Sequence, residues 1–506
     1  ERSLLLSSHC SSFPFPQSSL HLLSSMGRRR RRSSSSSTGS SKGSSRADSS
    51  RSSSNSRSSS AERPVAKKRR REFVREYEKE VSTRSGAPRS REDAVQRTLE
   101  NDCEIRVLWK QCHCEDGRDN FDAWNQLLNL LDEKKAEVEV WRPALLRFLD
   151  RWPLCFGFWC KWARLEANAG NNEKANQVYE HAVTAFPHSV DIWRAWLRFM
   201  RESSTEELQD KIQKLVERAT DAVGLNWRTE SLWVEALSAT SSDAFMTTSL
   251  LDRLIRVPTP NLETYFMSLC GHLTKCDLNS TLPPEELETL SLTVSLEGTT
   301  EEINGRILAR ALEKRKEIYE NTTKERDERI QFERQIKRPY FHVKPLEKSQ
   351  LDNWTAYLDF EITQSTVTQP EVVKALFERC LVSCALYEEF WLKYGEWSSS
   401  HASDSVVRDV YSRGLFTHCR RSILLALAFS AFEESRGEIS AARRILSDFN
   451  DYCPGHLLID IRNIGIERRH RNSTKPKDVG EVSDHYKRMM RHRGSFPAQH
   501  AFLAIK

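Results

Sequence analysis

The sequence predicts an all-α protein, an α-solenoid of stacked helix pairs behind a basic Ser/Arg-rich amino-terminal tail. Three observations carry that prediction: a tryptophan that recurs at a near-constant step, a block of one residue type that follows it, and a tail almost empty of apolar residues. The anchors are Trp124, Trp159, Trp193, Trp233, Trp354 and Trp391, with Phe429 standing at the next anchor position. Their steps are 35, 34 and 40 residues in the first group, 37 from Trp354 to Trp391 and 38 to Phe429, all in the period range of helical-pair repeats. Such a unit cannot bury its apolar face alone and must stack on copies of itself, which produces an extended scaffold whose surface binds other macromolecules.

Each repeat is legible as two helices. Trp159 and Trp162, Trp193 and Trp196, Trp354 and Tyr357, Trp391 and Tyr394, and Phe429 and Phe432 are spaced i, i+3, which puts two rings on one face of a first helix. The blocks at 178–183, 215–220, 250–255, 376–381 and 410–415 then supply a covering second helix. Each has apolar residues at its first two positions and, at its fifth, a small one in Ala182, Ala219, Cys380 and Gly414, where a neighbouring backbone can approach; Leu254 is the exception. Pro153, Pro187 and Pro258 mark the ends of second helices, since proline cannot continue the backbone ladder.

Taken in chain order, residues 1–90 read as a disordered tail, 91–276 as amino-terminal repeats, 277–300 as a linker, 301–348 as a long charged helix and a Pro-rich joint, 349–470 as an incomplete second set of repeats and 471–506 as a divergent basic tail. Residues 33–60 are nearly all Ser with interspersed Arg, a composition that cannot bury apolar area. Two readings of this tract stay open: a solvated linker, or a tail whose charge is rewritten by phosphorylation at about −1.5 to −2 per serine. Lys67, Lys68, Arg69, Arg70 and Arg71 follow Pro64 and look like a nuclear import signal. Residues 1–25 have Pro14 and Pro16 inside a Ser-rich stretch, and the basic run from Arg28 follows the leucines instead of preceding them, unlike a signal peptide; they precede Met26 and read as an artefact of the assumed start of translation. Arg31 stands where a myristoylation site needs Ser or Thr.

Residues 277–300 are rich in Ser, Thr, Leu and Glu around Pro283 and Pro284, which suggests a loop. Residues 301–335 read as one helix with opposite charges three or four apart. Lys337, Arg338, Pro339, Tyr340, Phe341 and His342 then lead to Pro345, and a helix cannot run through two prolines. This stretch is expected to join the two arms, its aromatics either packed beneath the joint, the commoner case, or exposed as a docking strip.

Composition narrows the classes of function. With 38% hydrophobic and 29% charged residues, the chain has no apolar run near the roughly 18 residues that a membrane span needs. Its 12 cysteines are scattered, unlike a disulfide framework. The net charge of +6 conceals an asymmetry. Residues 26–71 carry 15 basic residues against Asp48 and Glu62, a net +13, and residues 471–506 carry a net +5, which leaves −12 for the repeats. An acidic surface is poorly suited to phosphate, because neutralisation by basic groups dominates nucleic-acid binding. Protein partners are therefore expected for the repeats, with RNA contact left to the tails.

No catalytic or cofactor site is expected. Gly-x-Gly-x-x-Gly is absent and Gly39-Ser-Ser-Lys-Gly43 reverses the order of a phosphate-binding loop. Cys103, Cys112, His113 and Cys114 lack the two-residue gap and second ligand pair of a zinc site, so no metal is assigned. His181, His342 and His418 have no nucleophilic or acidic partner at a useful spacing.

The first-helix pattern resembles the half-a-tetratricopeptide (HAT) repeat, with Trp, an aromatic three on and then Glu in Trp159, Trp162, Glu166 and in Trp354, Tyr357, Glu361. The segment Ile336-Lys-Arg-Pro-Tyr-Phe-His-Val-Lys-Pro-Leu-Glu347, running through Trp354 to Cys380-Leu-Val-Ser-Cys-Ala-Leu-Tyr-Glu-Glu-Phe-Trp391, resembles the pre-mRNA-processing factor 39 family, as do the joins Trp152 to Trp159 and Phe186 to Trp193. The likeness covers about residues 119–470. It implies a nuclear, non-catalytic scaffold of the U1 small nuclear ribonucleoprotein that supports 5′ splice-site recognition by bridging U1 proteins, with only indirect contact to U1 RNA and pre-mRNA. It also implies self-association through further repeats, and because the sequence turns away from the family pattern after His470, a truncated or alternatively spliced form is expected. The alternatives are a HAT scaffold of mRNA 3′-end processing and an arginine-serine-type RNA-binding protein acting through its tail.

Overall fold

The computed structural model describes residues 88–470 apart from 115, 203–208, 296 and 365–369. The Ser/Arg tract, the cluster Lys67–Arg71 and the basic tail beyond 470 lie outside the described residues. Among the described residues all regular structure is helical, in 21 α-helices. Helices α1 (Pro88–Asn101) and α2 (Cys103–His113) lead into four pairs. These are α3 (Phe121–Glu133) with α4 (Val138–Arg151), α5 (Phe156–Asn168) with α6 (Asn172–Ala185), α7 (Val190–Glu202) with α8 (Gln209–Val223), and α9 (Glu230–Ala239) with α10 (Ala244–Leu254). Side-chain caps fix several starts: Asn120 accepts from the Ala123 N–H and Asp243 from that of Met246, satisfying donors that the first helical turn leaves without partners.

A middle section follows, of α11 (Leu262–Lys275), the single turn α12 (Leu278–Thr281), α13 (Pro284–Leu292) and the 36-residue α14 (Thr300–Gln335). Thr299 and Glu302 close a reciprocal capping box on α14, which fixes where the long helix begins. Segment 277–300 is therefore not the bare loop its composition suggests. Leu278, Leu282 and Leu290 are buried and pull its short helices onto α14, while Pro283 keeps them from fusing. The last section holds α15 (Lys348–Gln364) with α16 (Pro370–Ser383), α17 (Glu388–His401) with α18 (Asp404–Arg413), α19 (Ile423–Ser435) with α20 (Ile439–Tyr452), and α21 (Leu457–Arg469). A π-helical turn at Gly414–His418 extends α18.

The apolar side chains form three cores. One spans α2 to α10, one is built around Leu251, Leu269 and Ile307 from α10 to the first half of α14, and one runs from Ile336 to Ile466. The fold is an α-solenoid of HAT helix pairs.

The repeat has a physical grammar that recurs from unit to unit. The first-position tryptophan ties its own helix to the preceding turn: the indole N–H of Trp159, Trp193 and Trp391 donates to the carbonyl six residues earlier, at Pro153, Pro187 and Ala385. Where the second residue of a block is aromatic it stacks on the next repeat's second ring, as in Tyr179 on Trp196, Phe377 on Tyr394 and Tyr411 on Phe429. Its third residue, an acid, binds the block arginine of the next repeat in Glu180–Arg218 and Glu378–Arg413. That arginine lies over its own repeat's first tryptophan, Arg218 on Trp193, Arg379 on Trp354 and Arg413 on Trp391, a cation–π contact. The small fifth residue is a steric need: a Cβ on Gly414 would stand 3.0 Å from the Trp391 ring.

Two register corrections follow from this grammar. Phe429 is buried, but its stack with Tyr411 makes it the second ring of its repeat. The first-anchor position is Ala426, 35 residues after Trp391, where the ring is replaced by a methyl group. A further block, Gln331-Phe-Glu-Arg-Gln-Ile336, also lies at the end of α14: Phe332 stacks on Tyr357 and Glu333 binds Arg379. The last turns of the long charged helix are thus the second helix of a repeat.

Candidate interaction surfaces

The tryptophan stripe is core and offers no recognition surface. Trp124, Trp233, Trp354 and Trp391 are almost fully buried, and Trp159 and Trp193 nearly so. Their surroundings are closed further by buried ion pairs that recur at one place in the repeat. Arg142 holds Glu166, Arg329 holds Glu361 and the part-exposed Arg408 holds the buried Glu433; Arg329 and Arg408 stand two residues before the blocks at 331–336 and 410–415, and each glutamate four residues after a second ring. Burial without such a partner would be prohibitive.

The Pro-rich segment is arranged differently from a simple joint in series. It connects α14 to α15, and both ends belong to the carboxy-terminal core. Ile336 is buried there, Gln350 accepts from the Lys337 N–H, and the Leu346 N–H donates to the Tyr387 hydroxyl at 2.7 Å. Its tip reaches across to the amino-terminal core, where Phe341 is buried and Val343 packs beside it. The His342 ring meets Phe121 edge-on at 5.7 Å. Arg338 donates to the Lys344 carbonyl, and Pro339 separates it from Tyr340. Tyr340 is the exposed aromatic of the strap, at 49%. Packing under the strap and exposure on it are therefore both realised, at adjacent residues.

The other polar candidates are not gathered into a reactive site. Cys112 is buried, and burial pushes its thiol up to about 11. His113 is pushed down to about 4 by burial and the Arg147 charge, with its Nδ1 on the Trp109 carbonyl. Cys114 donates to the Gln111 carbonyl. His181 is lowered to about 4 by burial, and His418 stacks on Trp391. No three His, Cys, Asp or Glu side chains among the described residues are grouped as metal ligands. No described helix is long and apolar enough to cross a membrane.

Negative charge is concentrated in the middle section. Residues 277–302 contain seven Asp and Glu and no Lys or Arg. Glu286 among them is engaged by Arg315, while Glu285, Glu288, Glu297, Glu301 and Glu302 face solvent around Leu292, exposed at 83%.

Residues 107–270 match the family described as PRP39 N-terminal HAT repeat, and residues 327–469 the family described as PRP39 C-terminal HAT repeat. The chain belongs to the PRP39 family of HAT-repeat proteins. The second match begins on α14 at residue 327, beside Arg329 and the block 331–336 that charge had hidden. Pre-mRNA-processing factor 39 of Xenopus laevis is 32% identical over 396 residues, covering 73% of this chain and 60% of that protein. The Homo sapiens protein of the same name is 32% identical over 399 residues, covering 73% and 58%. The U1 small nuclear ribonucleoprotein component PRP42 of Saccharomyces cerevisiae is 23% identical over 337 residues, covering 61% and 60%. The chain thus spans about three fifths of these relatives.

Proposed function

We propose that the chain is a non-catalytic scaffold of nuclear pre-mRNA splicing that associates with the U1 small nuclear ribonucleoprotein and supports 5′ splice-site recognition by bridging its proteins. The observation that carries this reading is the pair of PRP39 HAT matches on both repeat blocks, with relatives named for pre-mRNA processing and for the U1 particle. The physical chemistry agrees with a bridging role. The buried repeat rings are not available to stack on bases as the aromatics of single-stranded RNA binders are, and a repeat region of net charge −12 favours basic segments of proteins over phosphate.

In this reading Lys67–Arg71 direct nuclear import, and the Ser/Arg tract sets the charge of the tail. Replacing Lys67, Lys68, Arg69, Arg70 and Arg71 together by Ala shifts a tagged chain to the cytoplasm; unchanged nuclear staining removes that role. Immunoprecipitation from nuclear extract followed by RNA sequencing tests the function itself. Recovery of U1 RNA is the expected result. Polyadenylation factors or broad exonic RNA without U1 would instead indicate a 3′-end scaffold or an arginine-serine-type RNA binder.

A further inference from the structure

The two repeat blocks also meet away from the backbone that links them, and the meeting line has the period of the repeat. The last residue of α4 is Arg151, whose Nη1 donates to the Thr417 carbonyl at 2.8 Å. Asp119 accepts from the same arginine and lies 3.7 Å from the Arg420 guanidinium. The turn after α6 contributes His188, with Nε2 3.8 Å from Glu378 Oε1, the carboxylate that Arg413 and Tyr394 already hold. The turn after α8 contributes Arg228, which donates to the Ile336 carbonyl at 3.2 Å. One residue per repeat, at 151, 188 and 228, forms a seam along α16, the π-turn and the start of the strap.

The seam differs in kind from the packing inside either block. Within a block, whole tryptophans and leucines are buried between helices. Across the seam, among the described residues, only Phe341 and Ala385 enter the amino-terminal core, with Val343 and Val382 packed beside them and the His342 ring edge-on to Phe121; the other contacts named above are hydrogen bonds and ion pairs. Interfaces that are small and polar open, whereas large apolar ones do not. The middle section shares its core with α10 on the amino-terminal side, through Leu251 and Ile255, but that core takes no residue from the carboxy-terminal block, so the blocks do not share hydrophobic contacts through it. The strap, held at both ends by the carboxy-terminal block and inserted at its tip into the other, occupies the position of a hasp.

We propose that this seam is a latch. Opening withdraws Phe341 and Val343 from the amino-terminal core and breaks the Arg151–Thr417, His188–Glu378 and Arg228–Ile336 contacts together, while both blocks stay folded. The uncovered surface, centred on Phe341, Val382 and Ala385, is then accessible only in the open state. This inference does not depend on which particle the chain binds.

Amide hydrogen exchange of the full chain, read by mass spectrometry, tests it. In Phe341→Ala, segments 337–346, 186–189 and 415–421 exchange faster by on the order of tenfold or more, the loss of one buried ring expressed as a rate ratio. Helices α5 and α17 keep their protection. Added salt moves segment 415–421 in the unaltered chain, because the part-exposed Asp119–Arg420 pair is screened. Arg151→Ala, which empties no core, gives the same pattern at smaller amplitude and decides the matter where Phe341→Ala does not fold. Unchanged exchange at these segments in Arg151→Ala overturns the latch, and so does a gain that spreads equally into α5 and α17.

Discussion

Arg329→Met is the sharpest probe of what holds neighbouring repeats together. Arg329 Nε and Nη2 donate to the two Glu361 oxygens at 2.5 and 3.1 Å, with the side chains 5% and 1% exposed. Removing the arginine leaves a carboxylate in the core with no counter-charge, which costs about 3–5 kcal/mol. Replacing both partners, as Arg329→Met with Glu361→Leu, removes the stranded charge, and substitutions of this kind are often neutral or stabilising by about 1–4 kcal/mol. The double variant is therefore expected to be more stable than the single one by at least about 2 kcal/mol. Urea unfolding followed by circular dichroism measures both; because a solenoid shares stability with nearest neighbours, the transition that moves is that of the carboxy-terminal block. A single variant within about 1 kcal/mol of the parent would mean that water reaches the pair. A double variant as unstable as the single one would mean that the pair, not the stranded charge, supplies the stability.

Trp354→Ala is expected to cost about 3–5 kcal/mol as a core truncation. Trp391→Ala should cost about 1 kcal/mol more, because its indole N–H holds the Ala385 carbonyl whereas that of Trp354 finds no acceptor among the described residues; equal losses in calorimetry would contradict that difference. Gly395→Ala is expected to destabilise by about 1–3 kcal/mol through overpacking, since its Cβ would lie 2.3 Å from the Tyr411 ring; an unchanged melting temperature would show that the ring can move aside. Acid should unfold the chain in two steps. His113 and His181, lowered to about 4 from an ordinary 6.5, favour the neutral form in the fold, so their contribution is complete above 6.5 and lost as pH falls toward 4. Burial raises the Glu378 carboxyl, but the Arg413 and His188 charges outweigh it. The Arg469 hydrogen bond leads the lowering of Glu434, and both carboxylates sit at about 2. Their contribution is present above about 4.5 and lost as pH falls toward 2. A melting temperature flat between pH 6.5 and 4, or His181→Gln leaving that limb unchanged, would refute the histidine assignment.

The helix-pair architecture was legible because its signal is local. A ring at i and i+3 followed by a block of fixed type reports one repeat, and Trp159, Trp193, Trp354 and Trp391 each announce theirs. The block 331–336 was missed because Gln331 stands where an apolar residue is usual and because Arg326, Glu328, Arg329 and Arg334 make the whole helix look solvated. In the fold, Arg329 and Glu333 are buried against partners on α15 and α16, and a charge that is neutralised from another helix looks the same in sequence as one that faces water. Phe429 was placed one step off because Ala426 had taken the first ring's position, so spacing alone attached the remaining rings to the wrong slots. The seam left no trace in sequence. Arg151 and Thr417 are 266 residues apart, and such a contact depends on the accumulated turn of every intervening repeat.

The most direct test of the bridging account compares the full chain with a shortened one beginning near residue 90, at one ionic strength, on naked RNA and on U1 particle proteins. The segment from 26 to 71 carries +13 and the repeats −12, and neutralisation of phosphate dominates affinity for bare RNA. The account predicts that the shortened chain loses most of its affinity for naked RNA while keeping its association with the U1 proteins. Binding of bare RNA by the shortened chain as tightly as by the full one would contradict it and place a basic groove on the repeats themselves.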